Sequence, residues 1–144
     1  MGKKRIVKKG GGDGERSTKQ GASTKLPKRK IEVGILHIQA TFNNTKVLLT
    51  AKNGEAVVWS SSGSLGFRGA KKGTPFAAAK VGELVGEKAA TLGVREVDVI
   101  IRGVGGGRES SLRGFVSKGI NVTTIRDATP VPHNGPRPPK PRRV

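Results

Sequence analysis

Residues 74–102 read TPFAAAKVGELVGEKAATLGVREVDVIIR, and the change of period inside this stretch decides the fold. Thr74 offers a hydroxyl to cap a helix whose first position, Pro75, needs no amide hydrogen. Ala77, Val81, Leu84, Val85, Lys88 and Leu92 then fall at helical spacing until Gly93 stops the run. From Glu96 to Arg102 the period drops to two, with Val97, Val99 and Ile101 pointing one way. Gly82 and Gly86 are weak helix formers, and their expected use is to let the helix pack closely on a sheet. Helix followed by strand is half of a crossover, which makes this an α/β chain.

Downstream the unit repeats. Gly103–Gly107 opens a second short helix, Arg108 to Lys118, with Leu112, Phe115 and Val116 on one face and Gly119 past its end. Ile120 to Asp127 reads as the fifth strand. Each return through a helix restores direction, so the last three strands run parallel. Upstream, Ile31, Val33 and Ile35 alternate with polar residues or glycine before Leu36, Ile38 and Ala40 take over, as in a strand partly buried on both faces. Phe42 to Asn44 turns the chain, Thr45 to Ala51 forms a second strand, and Asn53-Gly54 supplies a type I′ hairpin into Ala56 to Ser61. Trp59 is expected in the core rather than as a stacking platform. The fold class is α/β: a mixed five-stranded sheet of three antiparallel strands followed by βαβαβ.

Between the third strand and the capped helix lies SSSGSLGFRGAKKGT, residues 60–74, with no carboxylate in it. Gly63, Gly66, Gly69 and Gly73 permit close backbone approach and positive φ, while Arg68, Lys71 and Lys72 bring cations beside the ring of Phe67. That mixture suits a phosphate-rich, stackable polymer better than a small metabolite; a mobile surface loop is the plain alternative.

The charge agrees with a polyanionic partner. Lys and Arg number 28 against 10 acids, a net +18. It is unevenly spread: +9 over residues 1–30, +5 over 31–130 and +4 over 131–144. Residues 1–30 lack apolar periodicity and read as a basic arm disordered in isolation, which either orders on RNA or merely solubilises. Residues 31–128 form the α/β domain. Six of eight prolines fall in 130–141, so residues 129–144 read as an extended Pro/Arg-rich tail. No apolar run reaches the roughly 20 residues of a membrane span, and neither basic segment has amphipathic helical spacing, which argues against a membrane partner. With no cysteine and no secretory leader, a cytoplasmic protein is expected.

Chemistry is poorly provided for. Gly103-x-Gly105-x-x-Arg108 misses the dinucleotide fingerprint, because an arginine stands where a small residue must let helix and strand pack. An RNA phosphate could still meet that loop with Arg108 as clamp, unless Glu109 alone answers the helix dipole. A nuclease on such a sheet would want two or more carboxylates converging on a divalent metal, but the first strand offers His37 and Gln39 instead, and Asp98 and Asp127, the only aspartates of the domain, could each be a solvated strand edge or a turn former. His37 and His133 are the only histidines, the second in the proline-rich tail, and the serines that cluster in the 60–64 loop have no acidic partner nearby. No enzymatic activity, cofactor, metal or small-molecule substrate is expected.

Four blocks in order then carry a resemblance: HIQATFNNT at 37–45, Gly66–Gly69 through Thr74–Ala78, Gly103 to Ser110, and NVTTIRD, TPVPHNG and RPPKPRRV across 121–144. From residue 31 onward the chain resembles the eleventh protein of the small ribosomal subunit, the S-eleven family, in its bacterial-type form. The resemblance implies a ribonuclease-H-like α/β sheet without metal carboxylates. It also implies a ribosomal protein of the subunit platform that bridges separate rRNA helices and helps form the cleft where mRNA pairs with the rRNA end. Implied neighbours are the seventh and eighteenth small-subunit proteins. Carried onto this chain, the expected RNA contacts are Asn43, Asn44, Phe67, Arg68, Lys71, Lys72, Arg108, His133, Asn134, Arg137, Lys140, Arg142 and Arg143. Their residue types fit: cations neutralise phosphates, amides reach base edges or 2′-hydroxyls, and rings stack. Asn134-Gly135 is in addition a candidate for isoaspartate, since glycine leaves the next amide free to attack the asparagine side chain. The alternative is a free basic nucleic-acid-binding protein outside the ribosome.

Overall fold

The alternation of residues 33–40 becomes the central strand of a five-stranded sheet. In the computed structural model, which describes residues 30–143, the elements are β1 (Val33–Ala40), β2 (Thr45–Ala51), β3 (Ala56–Ser61), α1 (Pro75–Thr91), β4 (Glu96–Arg102), α2 (Gly107–Val116) and β5 (Asn121–Asp127). Spatial order is β3-β2-β1-β4-β5, with β2 antiparallel to both its neighbours, and the β1/β4 and β4/β5 pairs parallel. This is the mixed, ribonuclease-H-like sheet expected. β3, β4 and β5 do run the same way, but β4 joins β1 rather than β3. The crossover helix α1 packs over β3 and β2 and so delivers β4 to the free edge of β1.

Both helices cover one face. Leu36, Ile38, Val47, Leu49, Val58, Val97, Val99 and Ile101 point inward from the strands and meet Val81, Val85, Ala89 and Phe115 from the helices. Burying each of these side chains larger than alanine is worth about 1.5–3 kcal/mol, and together they define one core. No described helix covers the opposite face, which is why Val33, Ile35 and His37 are only half-buried.

The caps are as read. Thr74 Oγ1 accepts a hydrogen bond from the Ala77 amide at 3.3 Å, and Gly93 follows α1 at φ +84°. Four expectations need correction. Gly82 and Gly86 face α2 rather than the sheet: a Cβ at position 82 would lie 2.9 Å from the Ser111 carbonyl carbon and 3.0 Å from the Phe115 nitrogen. For the same reason α2 turns small residues inward, burying Ser111 and Gly114 beside Phe115 and leaving Val116 40% exposed. Trp59 is 60% exposed, because the register that turns Val58 into the core turns its neighbour to the uncovered face. The β2–β3 turn is not type I′, since only Gly54 has positive φ. The Gly54 amide donates to Ala51 O and the Ala51 amide to Glu55 O, each at 2.9 Å, and Asn53 Oδ1 accepts from the Glu55 amide, which makes a longer turn closed by a glycine bulge.

The basic arm lies outside the described residues apart from Lys30. Residues 130–143 are exposed and without helix or strand, and they bend at His133, Asn134 and Pro136 instead of running straight. Asn134 takes φ +59°, a left-handed conformation that its short amide side chain tolerates. Among the described residues no helix is long and apolar enough to cross a membrane.

Candidate nucleic-acid interface

One end of the sheet gathers most of the expected residues. β1, β3, β4 and β5 all finish there, β2 begins there, and both helices present their N-termini, where backbone amides without intrahelical partners favour anions. The crevice beyond the carboxyl ends of parallel strands is the usual binding place in α/β sheets.

Glycines bring the loops of this end into backbone contact. A Cβ at Gly73 would overlap the Phe42 carbonyl, and one at Gly105 would overlap the Thr41 carbonyl. Gly105 also donates its amide to Ala40 O at 3.0 Å. The 41–44 turn is thus clasped between the basic loop on one side and the 103–107 loop on the other. Thr41 closes it, donating its amide to Asn44 O at 2.9 Å while its Oγ1 accepts from the Asn44 amide at 3.1 Å. Asn43 is exposed at the tip and Asn44 half-buried. Asn44 Oδ1, Thr45 Oγ1 and Ser62 Oγ are buried at this end with no hydrogen-bond partner among the described residues.

The basic loop is ordered by its own serines. Ser64 Oγ donates to Ser61 O at 2.8 Å and accepts from the Ser61 amide at 2.9 Å, and the Phe67 amide reaches Ser62 O at 3.3 Å. Gly66 and Gly69 take the positive φ expected, while Gly63 and Gly73 do not. Residues 69–73 form one 3₁₀ turn that ends on Thr74, whose Oγ1 donates to Lys71 O at 2.7 Å. Arg68 and Lys71 are exposed and Lys72 is half-buried. Phe67 is half-buried too, set edge-on to Phe76 with ring centroids 6.2 Å apart, and Lys80 Nζ lies 5.9 Å from the Phe76 centroid.

Three exposed apolar side chains of this end escaped the sequence reading: Phe42 at 78%, Phe76 at 65% and Val104 at 63%. A turn residue beside two asparagines and a phenylalanine just after a helix-starting proline were the available signals. Periodicity cannot find them, because each stands outside the repeating part of its element.

Arg108 is held inside the chain. Its Nη1 donates to Gly103 O and, at 3.3 Å, to Thr129 Oγ1, and its Nη2 pairs with Asp127 Oδ2 at 2.5 Å. Asp127 Oδ1 in turn accepts from the Thr129 amide at 3.0 Å and the Thr129 hydroxyl at 2.6 Å. Thr129 first and Arg108 second pull the Asp127 carboxyl down to about 2. Asp127 is therefore a turn former, and this lattice sets where the tail leaves the body. Asp98 accepts from Thr124 Oγ1 at 2.7 Å, bonded within the sheet instead of standing at a solvated edge. Beyond the lattice, His133, Asn134, Arg137, Lys140, Arg142 and Arg143 are all exposed along the tail, apart from the loops in sequence but starting at the same end of the sheet.

Among the described residues, glycine-clasped loops, two helix N-termini and the cations Arg68, Lys71 and Lys72 without an ion pair suit a folded polyanion, and no three histidine or carboxylate side chains converge on one point. The family model described as Ribosomal protein S11 matches residues 34–143, about three quarters of the chain, and the chain therefore belongs to that family of rRNA-binding, structural proteins of the small ribosomal subunit.

Proposed function

We propose that this protein sits on the platform of the cytoplasmic small subunit, where it bridges separate rRNA helices and helps shape the cleft in which mRNA pairs with the rRNA end. The body and tail contact different RNA segments. Asn43, Asn44, Phe67, Arg68, Lys71 and Lys72 form the contact at the sheet end, and His133, Asn134, Arg137, Lys140, Arg142 and Arg143 form the one along the tail. Arg108 aims the tail and lends its exposed edge to the first. The seventh and eighteenth small-subunit proteins lie nearby, and the chain catalyses nothing. The body between arm and tail is the unit that folds, with residues 31–128 as its span.

One observation carries this reading: the clasped loops and the latched root of the tail leave the same end of the sheet, so two separate groups of cations start from one place. A protein that bridges RNA helices can use that arrangement. Phosphate contacts supply the affinity and must show in its salt dependence.

The test replaces Arg68, Lys71 and Lys72 together by alanine and follows rRNA binding and co-sedimentation with small subunits across salt. If each cation neutralises one phosphate, the slope of log affinity against log salt falls by about 2–3. An unchanged slope with normal incorporation would remove the loop from the interface.

A further inference from the structure

The uncovered face of the sheet has a composition of its own. Directly opposite residues make a row across all five strands: Trp59, Leu48, His37, Ile100 and Arg126. The next row toward the loop end is Ser61, Lys46, Gln39 and Arg102, and the row on the other side contains Ile35, Asp98 and Thr124. His37, Gln39, Lys46, Leu48, Ile100 and Arg102 line a shallow depression at its centre. Trp59 is 60% exposed, and Ile35, Leu48 and Ile100 are half-buried. His37 shares a hydrogen bond with Thr50 Oγ1 at 3.3 Å. An apolar band thus crosses the sheet, bordered by three cations, while the one carboxylate of these rows is bonded to Thr124.

RNA is a poor match for the centre of this band. Sheets that bind bases offer exposed stacking rings in the middle, whereas here the central ring, His37, is half-buried and hydrogen-bonded to Thr50, Leu48 and Ile100 on either side of it are aliphatic, and the one large exposed ring stands on the edge strand. Leu48 and Ile100 gain from losing water to apolar side chains, which a phosphate backbone cannot supply. Charge excludes two other occupants. The chain's own residues 1–30, with 11 basic and 2 acidic side chains, would set cations against Lys46, Arg102 and Arg126, and a second copy of this face would do the same.

We propose that this face docks a segment of a neighbouring small-subunit protein, with apolar side chains over Leu48, Ile100 and Trp59 and carboxylates toward Lys46, Arg102 and Arg126. It rests on the chain's place in the small subunit, not on the loop contacts. Four strand spacings of ~4.8 Å and seven residues of ~3.3 Å give a face of roughly 440 Å², about half of one side of a standard interface. The pair alone is weak, and shared attachment to one rRNA raises the partner's effective concentration. The contact is therefore tested in assembled particles.

The full-length chain carrying Trp59→p-benzoylphenylalanine is assembled into small subunits, irradiated and digested, and the crosslinks are identified by mass spectrometry. The expected product joins position 59 to one other small-subunit protein, at a segment with both apolar and acidic residues. Adding Leu48→Lys, or separately Lys46→Glu with Arg102→Glu, lowers its yield about tenfold while the chain stays in the particle. A crosslink to rRNA, to residues 1–29 of this chain or to a second copy overturns the proposal, as does no crosslink in particles that contain the chain. Sedimentation is scored separately and judges the RNA reading, so the two can fail independently.

Discussion

Gly82→Ala sets two physical effects against each other. In an exposed helix interior, alanine is better than glycine by about 1 kcal/mol, so propensity alone forecasts a more stable protein. Here the new methyl group would be driven into the Ser111 carbonyl, 2.9 Å from its carbon and 3.0 Å from the Phe115 nitrogen. These are backbone atoms of α2, and no side-chain rotation relieves them; the helices must separate by about 1 Å. A gap of that size forfeits a quarter to a half of each dispersion contact across it, and fully buried Phe115 sits in that seam. Forced backbone shifts of this kind cost about 1–3 kcal/mol, and a backbone clash belongs at the upper end, so the net loss is about 2 kcal/mol. Against a total stability of about 5–15 kcal/mol this is large. Urea unfolding of the full-length protein, followed by far-ultraviolet circular dichroism, should show a midpoint lower by about 1 M. Ala90→Gly on the exposed side of α1 is the control, losing only the propensity difference. A midpoint that rises in Gly82→Ala would refute the close packing of α1 on α2.

The remaining predictions concern single groups. Asp127 stands at about 2 in the fold against 3.8 unperturbed, so its contribution is present above the unperturbed value and is lost as pH falls toward 2. Proteolysis at the root of the tail, near residue 130, should accelerate over that window, and Asp127→Asn should be cleaved quickly at every pH; a wild-type rate flat from pH 5 to pH 2 (about the range bracketing both values) would count against the latch. His37 should titrate below 6.5 by NMR, because burial and then Arg102 disfavour its charged form. Its neutral form favours the fold, and that contribution declines as pH drops below the ordinary value. Arg102→Gln should raise the midpoint only part of the way; a midpoint above 6.5 in the wild type would contradict the half-buried ring. Asn134 is exposed, in a left-handed conformation and followed by glycine, so peptide mass spectrometry of aged protein should find isoaspartate there and less of it in Gly135→Ala. Unmodified asparagine throughout would dismiss that site.

Much of this protein was legible in one dimension. The switch from helical to alternating period at Gly93, the Thr74-Pro75 cap and the crowding of cations and glycines in 60–74 depend on neighbours in the chain, and such local preferences survive folding. They were enough for the fold class, the strand directions and the polyanionic partner. The order of the strands was not, because β3 and β1 were both open to β4 until α1 chose which faces to cover. Trp59 and Val116 depart from expectation for one common reason: hydrophobicity says that a side chain gains from burial, but only the packing of two helices on one sheet face says which side chains obtain it, and the same packing sets Gly82 against α2 instead of the sheet. For Arg108 too, the fold supplies partners that the sequence does not show. Its sequence neighbours advertise a phosphate clamp, and its partners Asp127 and Thr129, 19 and 21 residues away, exist beside it only once β5 has been laid against β4.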